Sequence, residues 1–152
     1  MMHVALPFFP PSSNNAYFTR GRLRRMSTEG KKFLNEMKHH LLKEHPEFLA
    51  QFKPDEEYEV LFLLHYEAGT LYNATWLKDP KVGRHKKNDA TNRVKILEDA
   101  IVDAAGHDDR QHWSVSVTKT EALIGQSPYV EVWVWKEDEN GPISRFIATR
   151  AP

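Results

Sequence analysis

KKNDATNRVKILEDAIVDAAGHDDRQH, residues Lys86–His112, is the stretch that decides how the rest of the chain is read. Ala90, Val94, Leu97, Ile101 and Ala104 recur at intervals of three or four with no proline among them, which is the spacing of one apolar stripe along a helix. The helix is expected between Asp89 and Gly106. Asn88 or Asp89 suits its cap, because a short polar side chain accepts from the orphan amides of the first turn, and Gly106 suits the left-handed residue that ends it. Thr91, Lys95 and Asp99 are spaced four apart and share the polar face beside Asn92.

This order of residues puts carboxylates at both ends of one helix: Asp89 before it, Asp108 and Asp109 after it. Hard cations such as Mg²⁺ or Mn²⁺ take carboxylate oxygens and keep several waters, so such a set can hold an ion against a phosphodiester. The ion activates a water and stabilises the charge that builds on the phosphate oxygens. Lys95 adds a cation for the same oxygens, and amides at a helix start favour anions. Each residue also has a plain structural reading, with Asp89 as a cap, Asp108-Asp109 as a loop and Lys95 as a solvated side chain.

A chain of 152 residues with 40% hydrophobic content is most simply one domain spanning residues 1–152. It has no cysteine, so a disulfide framework and a thiolate zinc site are excluded. No long apolar run or charged leader is seen, and the sequence reads as soluble, cytoplasmic and free of any membrane association. The 21 basic and 21 acidic residues balance to zero, but they are segregated. Arg20, Arg22, Arg24, Arg25, Lys31 and Lys32 form one basic cluster; Arg84, His85, Lys86, Lys87, Arg93 and Lys95 form another. Acidic residues gather at 55–57 and 137–139. Segregation of this kind can make a phosphate-binding face on a neutral protein.

Taken in order, Val4–Phe9 is expected as a short strand stopped by Pro10-Pro11, since proline lacks the amide that would continue a ladder. The Ser12–Asn15 run favours turns, and the basic stretch from Tyr17 to Met26 carries two aromatics. Ser27 starts a second helix whose buried face is Phe33, Leu34, Met37, Leu41 and Leu42, ending near His45-Pro46. PEFLAQF adds a short helical turn. Tyr58–Tyr66 reads as a central strand, and Leu71–Trp76 as a further strand or hairpin return. Trp113, Val115 and Val117 alternate with polar residues, as do Val130, Val132 and Val134 with their neighbours, so an antiparallel pair is expected there. The end, from Glu137 to Pro152, is expected as a hairpin or a flexible tail.

Asp89, Asn92 and Lys95 in the pattern Asp-x-x-Asn-x-x-Lys, followed by Asp99-Ala100-Ile101, Gly106 and Asp108-Asp109, resemble the core motif of the RusA family of Holliday-junction resolvases. LPFFPPSSNNAYF with Ser27-Thr28-Glu29-Gly30 is similar to that family's opening strand, Pro-Pro-Ser-x-Asn loop and first helix start. The likeness covers most of residues 3–136, with a longer connection before Lys86. It implies a small α/β fold, a single domain with a mixed β-sheet and two main α-helices. It also implies a homodimeric, Mg²⁺- or Mn²⁺-dependent endonuclease of four-way or branched DNA. Residue by residue, Asp89 and Asp109 match the catalytic aspartates and Lys95 the catalytic lysine. One position departs from the pattern: where the family has a second aspartate two residues after the first, this chain has Thr91. Asp108, Asp99 or Glu98 is a candidate to make up the missing carboxylate, Asp108 first because it lies beside Asp109.

The expected site is therefore Asp89, Asp109 and Lys95 for catalysis and Asp89, Asp109 and Asp108 for the metal. Arg20, Arg22, Arg24, Arg25, Lys86, Lys87 and Arg93 are the candidates for DNA. Two rivals stand beside it. One is a module of the same fold that binds junctions without cutting, which Thr91 favours; the other is a hydrolase whose metal is held by His85, His107 and His112 with Asp108 and Asp109.

Overall fold

In the computed structural model, residues 1–20, 23–72 and 90–149 are described. The frame is a mixed four-stranded sheet: β1 (Met2–Leu6), β4 (Tyr58–Tyr66), β5 (His112–Glu121) and β6 (Tyr129–Lys136), in the order β1-β6-β4-β5. β6 runs antiparallel to both β1 and β4, and β4 runs parallel to β5. A parallel pair cannot be closed by a tight turn. The crossover between β4 and β5 contains α4 (Thr91–Ala105), so the decisive stretch is the element that lets these strands pair.

Alternation decides which side is core. Val4 and Leu6 of β1, Val60, Phe62 and Leu64 of β4, and Val130, Val132 and Val134 of β6 point to one face, and all are at most 3% exposed. That face is covered by α2 (Thr28–Glu44) through Phe33, Met37 and Leu41, and by α4 through Ile96, Leu97, Ala100 and Ile101. Full burial of each of the larger side chains contributes about 1.5–3 kcal/mol. The stripe on α4 is wider than Leu97 and Ile101 alone, because the helix meets both the sheet and α2, where Lys38 reaches Asp103 at 2.9 Å. Gly106 ends α4 at φ 69°, as expected. Ser27 caps α2, its hydroxyl accepting from the Gly30 amide at 3.0 Å.

α1 (Ser13–Ala16) leads into a separate hairpin, β2 (Tyr17–Arg20) with β3 (Leu23–Met26), which carries Arg20, Arg24 and Arg25 of the first basic cluster. The chain then reverses tightly. A Cβ on Gly30 would sit 2.5 Å from the Ala16 carbonyl oxygen, so only glycine allows α2 to start there. α3 (Pro46–Leu49) is the short turn expected from PEFLAQF, with Pro46 in its first turn.

Four expectations are corrected. The opening strand is Met2–Leu6 rather than Val4–Phe9, because Pro7 already removes the amide that would extend it. β5 and β6 do not pair; β4 lies between them and takes both. The alternation in β5 is broken by a bulge: Tyr58 pairs His112 but Glu59 pairs Ser114, leaving Trp113 as the extra residue. The end is neither hairpin nor tail through residue 148, since a 3-10 turn at Glu137–Glu139 leads into α5 (Pro142–Ala148). Of the expected Leu71–Trp76 strand, residues 73–76 lie outside the described residues.

α5 is held by a buried charge. Glu59 is 1% exposed, and its carboxylate accepts from the Ile143 amide at 2.7 Å, the Ser144 amide at 3.2 Å and the Ser144 hydroxyl at 3.2 Å. A Cβ on Gly141 would approach Glu59 Oε2 to 2.3 Å. Gly141→Ala is therefore expected to lower unfolding stability by about 1–3 kcal/mol, the usual cost of overpacking a closed site. A urea midpoint equal to the parent's would show that Glu59 can move aside.

Candidate metal and nucleic-acid site

Lys95 lies in the second turn of α4, on its polar face, with its side chain half exposed. Its ammonium meets Asp99 Oδ1 at 2.8 Å, one turn along the helix, and Asp109 Oδ2 at 3.1 Å. Asp109 comes four residues after the end of the helix. The contact forms only because the chain reverses at Gly106, whose left-handed conformation turns the following residues back along the polar face. Two carboxylates thus share one cation. The hydrogen bond that Lys95 donates to Asp99, and after it the one to Asp109, holds the Lys95 pKa well above the ordinary lysine range against the opposing effect of burial. The same lysine, first by hydrogen bond and then by charge, holds the Asp109 carboxyl below the usual aspartate range.

The turn that presents Asp109 is fastened on both sides. Asp108 caps the 3-10 turn Asp109–Gln111, accepting from the Arg110 amide at 2.9 Å. Gln111 Oε1 accepts from the Asp108 amide at 3.1 Å, and its Nε2 faces the carbonyls of Lys53, Pro54 and Glu56 at 2.7–2.9 Å. Beside this turn lies an open groove of about 660 Å³, lined in part by His107, Asp108, Asp109 and Gln111.

His107 and His112 are turned toward each other. His107 Nε2 lies 2.8 Å from His112 Nε2, and His112 Nδ1 lies 2.9 Å from Glu98 Oε1, so their facing nitrogens are committed to one another and to Glu98. His85 lies outside the described residues. Burial, then the nearness of His112, lowers the His107 pKa to about 4. A histidine held neutral in the fold and free to protonate when unfolded makes stability fall as pH drops from about 6.5 to about 4. His107→Phe is expected to flatten that slope in urea titrations across the same range.

Sequence reasoning missed Asp99 and Tyr17 as a pair. The Tyr17 hydroxyl donates to Asp99 Oδ2 at 2.8 Å, tying the first residue of the basic hairpin to the carboxylate that holds Lys95. Arg20, Arg24 and Arg25 belong to the strands of that hairpin, and Arg22 lies outside the described residues. Arg93 is placed differently. It donates to the Pro10 carbonyl and packs over the rings of Phe9 and Tyr66, 5.1 and 5.9 Å from their centroids, so the fold uses it to hold the Pro7–Ser12 segment. Asp89, Lys86 and Lys87 lie outside the described residues. Among the described residues no three histidines, aspartates or glutamates converge as a metal-binding group. Asp109 and Asp99 are hard oxygen donors, and two carboxylates completed by waters and phosphate oxygens fit a hard divalent ion in kind.

A family model described as endodeoxyribonuclease RusA matches residues 7–134, which takes in β4, β5, most of β6, both long helices and every site residue named above. The chain belongs to the RusA endodeoxyribonuclease family. A search of curated proteins gives no match. The mixed α/β architecture is the one expected of a RusA member, and no helix among the described residues is long and apolar enough to cross a membrane.

Proposed function

We propose that this RusA family member is a divalent-metal-dependent endonuclease that cuts four-way or other branched DNA as a homodimer. The observation that carries the proposal is the Lys95 ammonium seated between Asp99 and Asp109, on a turn folded back along α4. Asp89 and Asp109 are the proposed holders of Mg²⁺ or Mn²⁺, which when bound supplies a Lewis acid and an activated water. Asp108 is assigned to capping its turn.

In this reading the protein's own groups bind, orient and balance charge. Lys95 stays protonated over the whole working range, because its two carboxylates favour the charged form. It therefore offers a fixed positive charge to the non-bridging oxygens of the scissile phosphate, where negative charge grows as water adds to phosphorus and the P–O bond breaks. Asp99, itself held by the Tyr17 hydroxyl, fixes that ammonium in place. Arg20, Arg24 and Arg25 of the basic hairpin, together with Arg22 and the Lys86-Lys87 pair, supply the phosphate contacts that dominate affinity. A junction has two-fold symmetry, so two sites in a symmetric dimer can cut opposing strands. Such a protein works beside its DNA in the cytoplasm.

Cleavage of a synthetic four-way junction with Mg²⁺ and with chelator tests the proposal, cutting in the first and none in the second being expected. Tight junction binding with no cutting under any divalent ion would instead establish the binding-only reading that Thr91 favours. Thr91→Asp sharpens the test: if this chain lacks a ligand, the Mg²⁺ needed for half-maximal cutting is expected to drop by about tenfold, as for restoring one partner of a metal set. An unchanged or higher requirement would show the site to be complete without it.

A further inference from the structure

We infer that Glu98, His112 and His107 form a positioning chain that sets where Asp109 stands relative to Lys95. The inference rests on the proposed role of Asp109 as a site carboxylate. Each link joins a different part of the fold: Glu98 from the middle of α4, His112 from the first residue of β5, and His107 from the turn between them. His112 has no exposed side-chain surface and is bonded at both ring nitrogens.

The bulge at Trp113 explains how His112 comes to be there. His112 pairs with Tyr58 and Val115 with Val60, so three steps on β5 match two on β4. The extra residue turns His112 to the same face as Val115, toward α4, where regular alternation would send it to the opposite face. His112 Nδ1 faces Glu98 Oε1 at 2.9 Å and its Nε2 faces His107 Nε2 at 2.8 Å, so the ring bridges the helix and the turn. His107 is stacked flat on Phe52, with centroids 4.5 Å apart and planes 17° apart, so it cannot swing without breaking both contacts.

The links close into a circuit. Glu98 directly precedes Asp99, His107 comes two residues before Asp109, and Asp99 and Asp109 meet on Lys95. The two carboxylates around Lys95 are thereby held from behind through Glu98, His112 and His107. A displacement of about 1 Å in a reacting constellation can cost on the order of a hundredfold in rate, and loss of an outer partner typically costs about 10–100-fold in metal affinity or activity.

The test uses the full chain, with Glu98→Met and His112→Phe, which keep bulk and remove the bonds, and Glu98→Gln, which keeps an acceptor oxygen. Three quantities are read: Mn²⁺ affinity without DNA, from the free-ion electron paramagnetic resonance signal; kcat and KM on a synthetic four-way junction; and the urea midpoint. Glu98→Met and His112→Phe are expected to weaken Mn²⁺ binding and lower kcat by about tenfold or more, with KM within about twofold. Glu98→Gln is expected to restore both to within about threefold. A shift in urea midpoint alone, with Mn²⁺ affinity and kcat at parental values, would overturn the inference, as would a Glu98→Gln variant no better than Glu98→Met. Should His112→Phe not fold, the two Glu98 variants decide it. Asp109→Asn runs alongside, and parental cutting and Mn²⁺ binding by that variant would overturn the site itself and this inference with it.

Discussion

Asp109→Asn is expected to slow cutting of a four-way junction by about a thousandfold, or ~4 kcal/mol of barrier at about 1.36 kcal/mol per decade, while changing junction affinity by less than about threefold. The separation follows from what the carboxylate touches. Its described partner is Lys95, at 3.1 Å, whereas Arg20, Arg24 and Arg25, assigned to phosphate, belong to β2 and β3. Asparagine keeps the shape and one acceptor oxygen, so the 3-10 turn, capped by Asp108 and held by Gln111, should remain. Both Lys95 and Asp109 are half exposed, so solvent screens the pair and its loss should cost little stability. Asp89→Asn is expected to behave in the same way. Single-turnover cutting and equilibrium binding, measured under matched Mg²⁺, read the two effects apart. A variant that cuts at the parental rate would reduce Asp109 to a partner of Lys95 and nothing more.

What could be read without coordinates divides according to how local the cause is. The stripe Leu97–Ile101, the stop at Gly106 and the Lys95–Asp99 pair depend on helical spacing alone, and all three hold. The Tyr58–Tyr66 strand was legible because its composition suits burial whatever its neighbours are. Pairing was another matter. Alternation in β5 and β6 shows that each is a strand but carries nothing about β4 standing between them, and the bulge at Trp113 leaves no mark in a run of alternating residues. Charge misleads similarly. Arg93 sits within a basic cluster, yet Pro10, Phe9 and Tyr66 come from two distant parts of the chain to take it up. Asp109 was legible as a candidate, whereas its meeting with Lys95 depends on a chain reversal that spacing cannot supply.

Lys95→Ala carries the opposite signature to Asp109→Asn and is the sharper probe of the site. At rest the ammonium meets Asp99 Oδ1 at 2.8 Å and Asp109 Oδ2 at 3.1 Å, and Asp109 is a proposed holder of the ion. An incoming divalent ion must share or displace that cation. Its removal leaves two carboxylates facing each other with no positive partner, an arrangement that disfavours ionising both and favours a bound cation. Mn²⁺ affinity in the absence of DNA is therefore expected to rise by severalfold. Cutting is expected to fall by about a hundredfold, since the variant has lost the charge that answers the growing negative charge on phosphate, an effect of about 2.7 kcal/mol. A tighter ion and a slower cut in one variant cannot be produced by general loosening of the fold, which would weaken both. The free-ion resonance signal and single-turnover cutting at saturating Mn²⁺ give the two numbers. Weaker Mn²⁺ binding together with unchanged cutting would leave Lys95 as a helix-surface ion pair with no part in the chemistry.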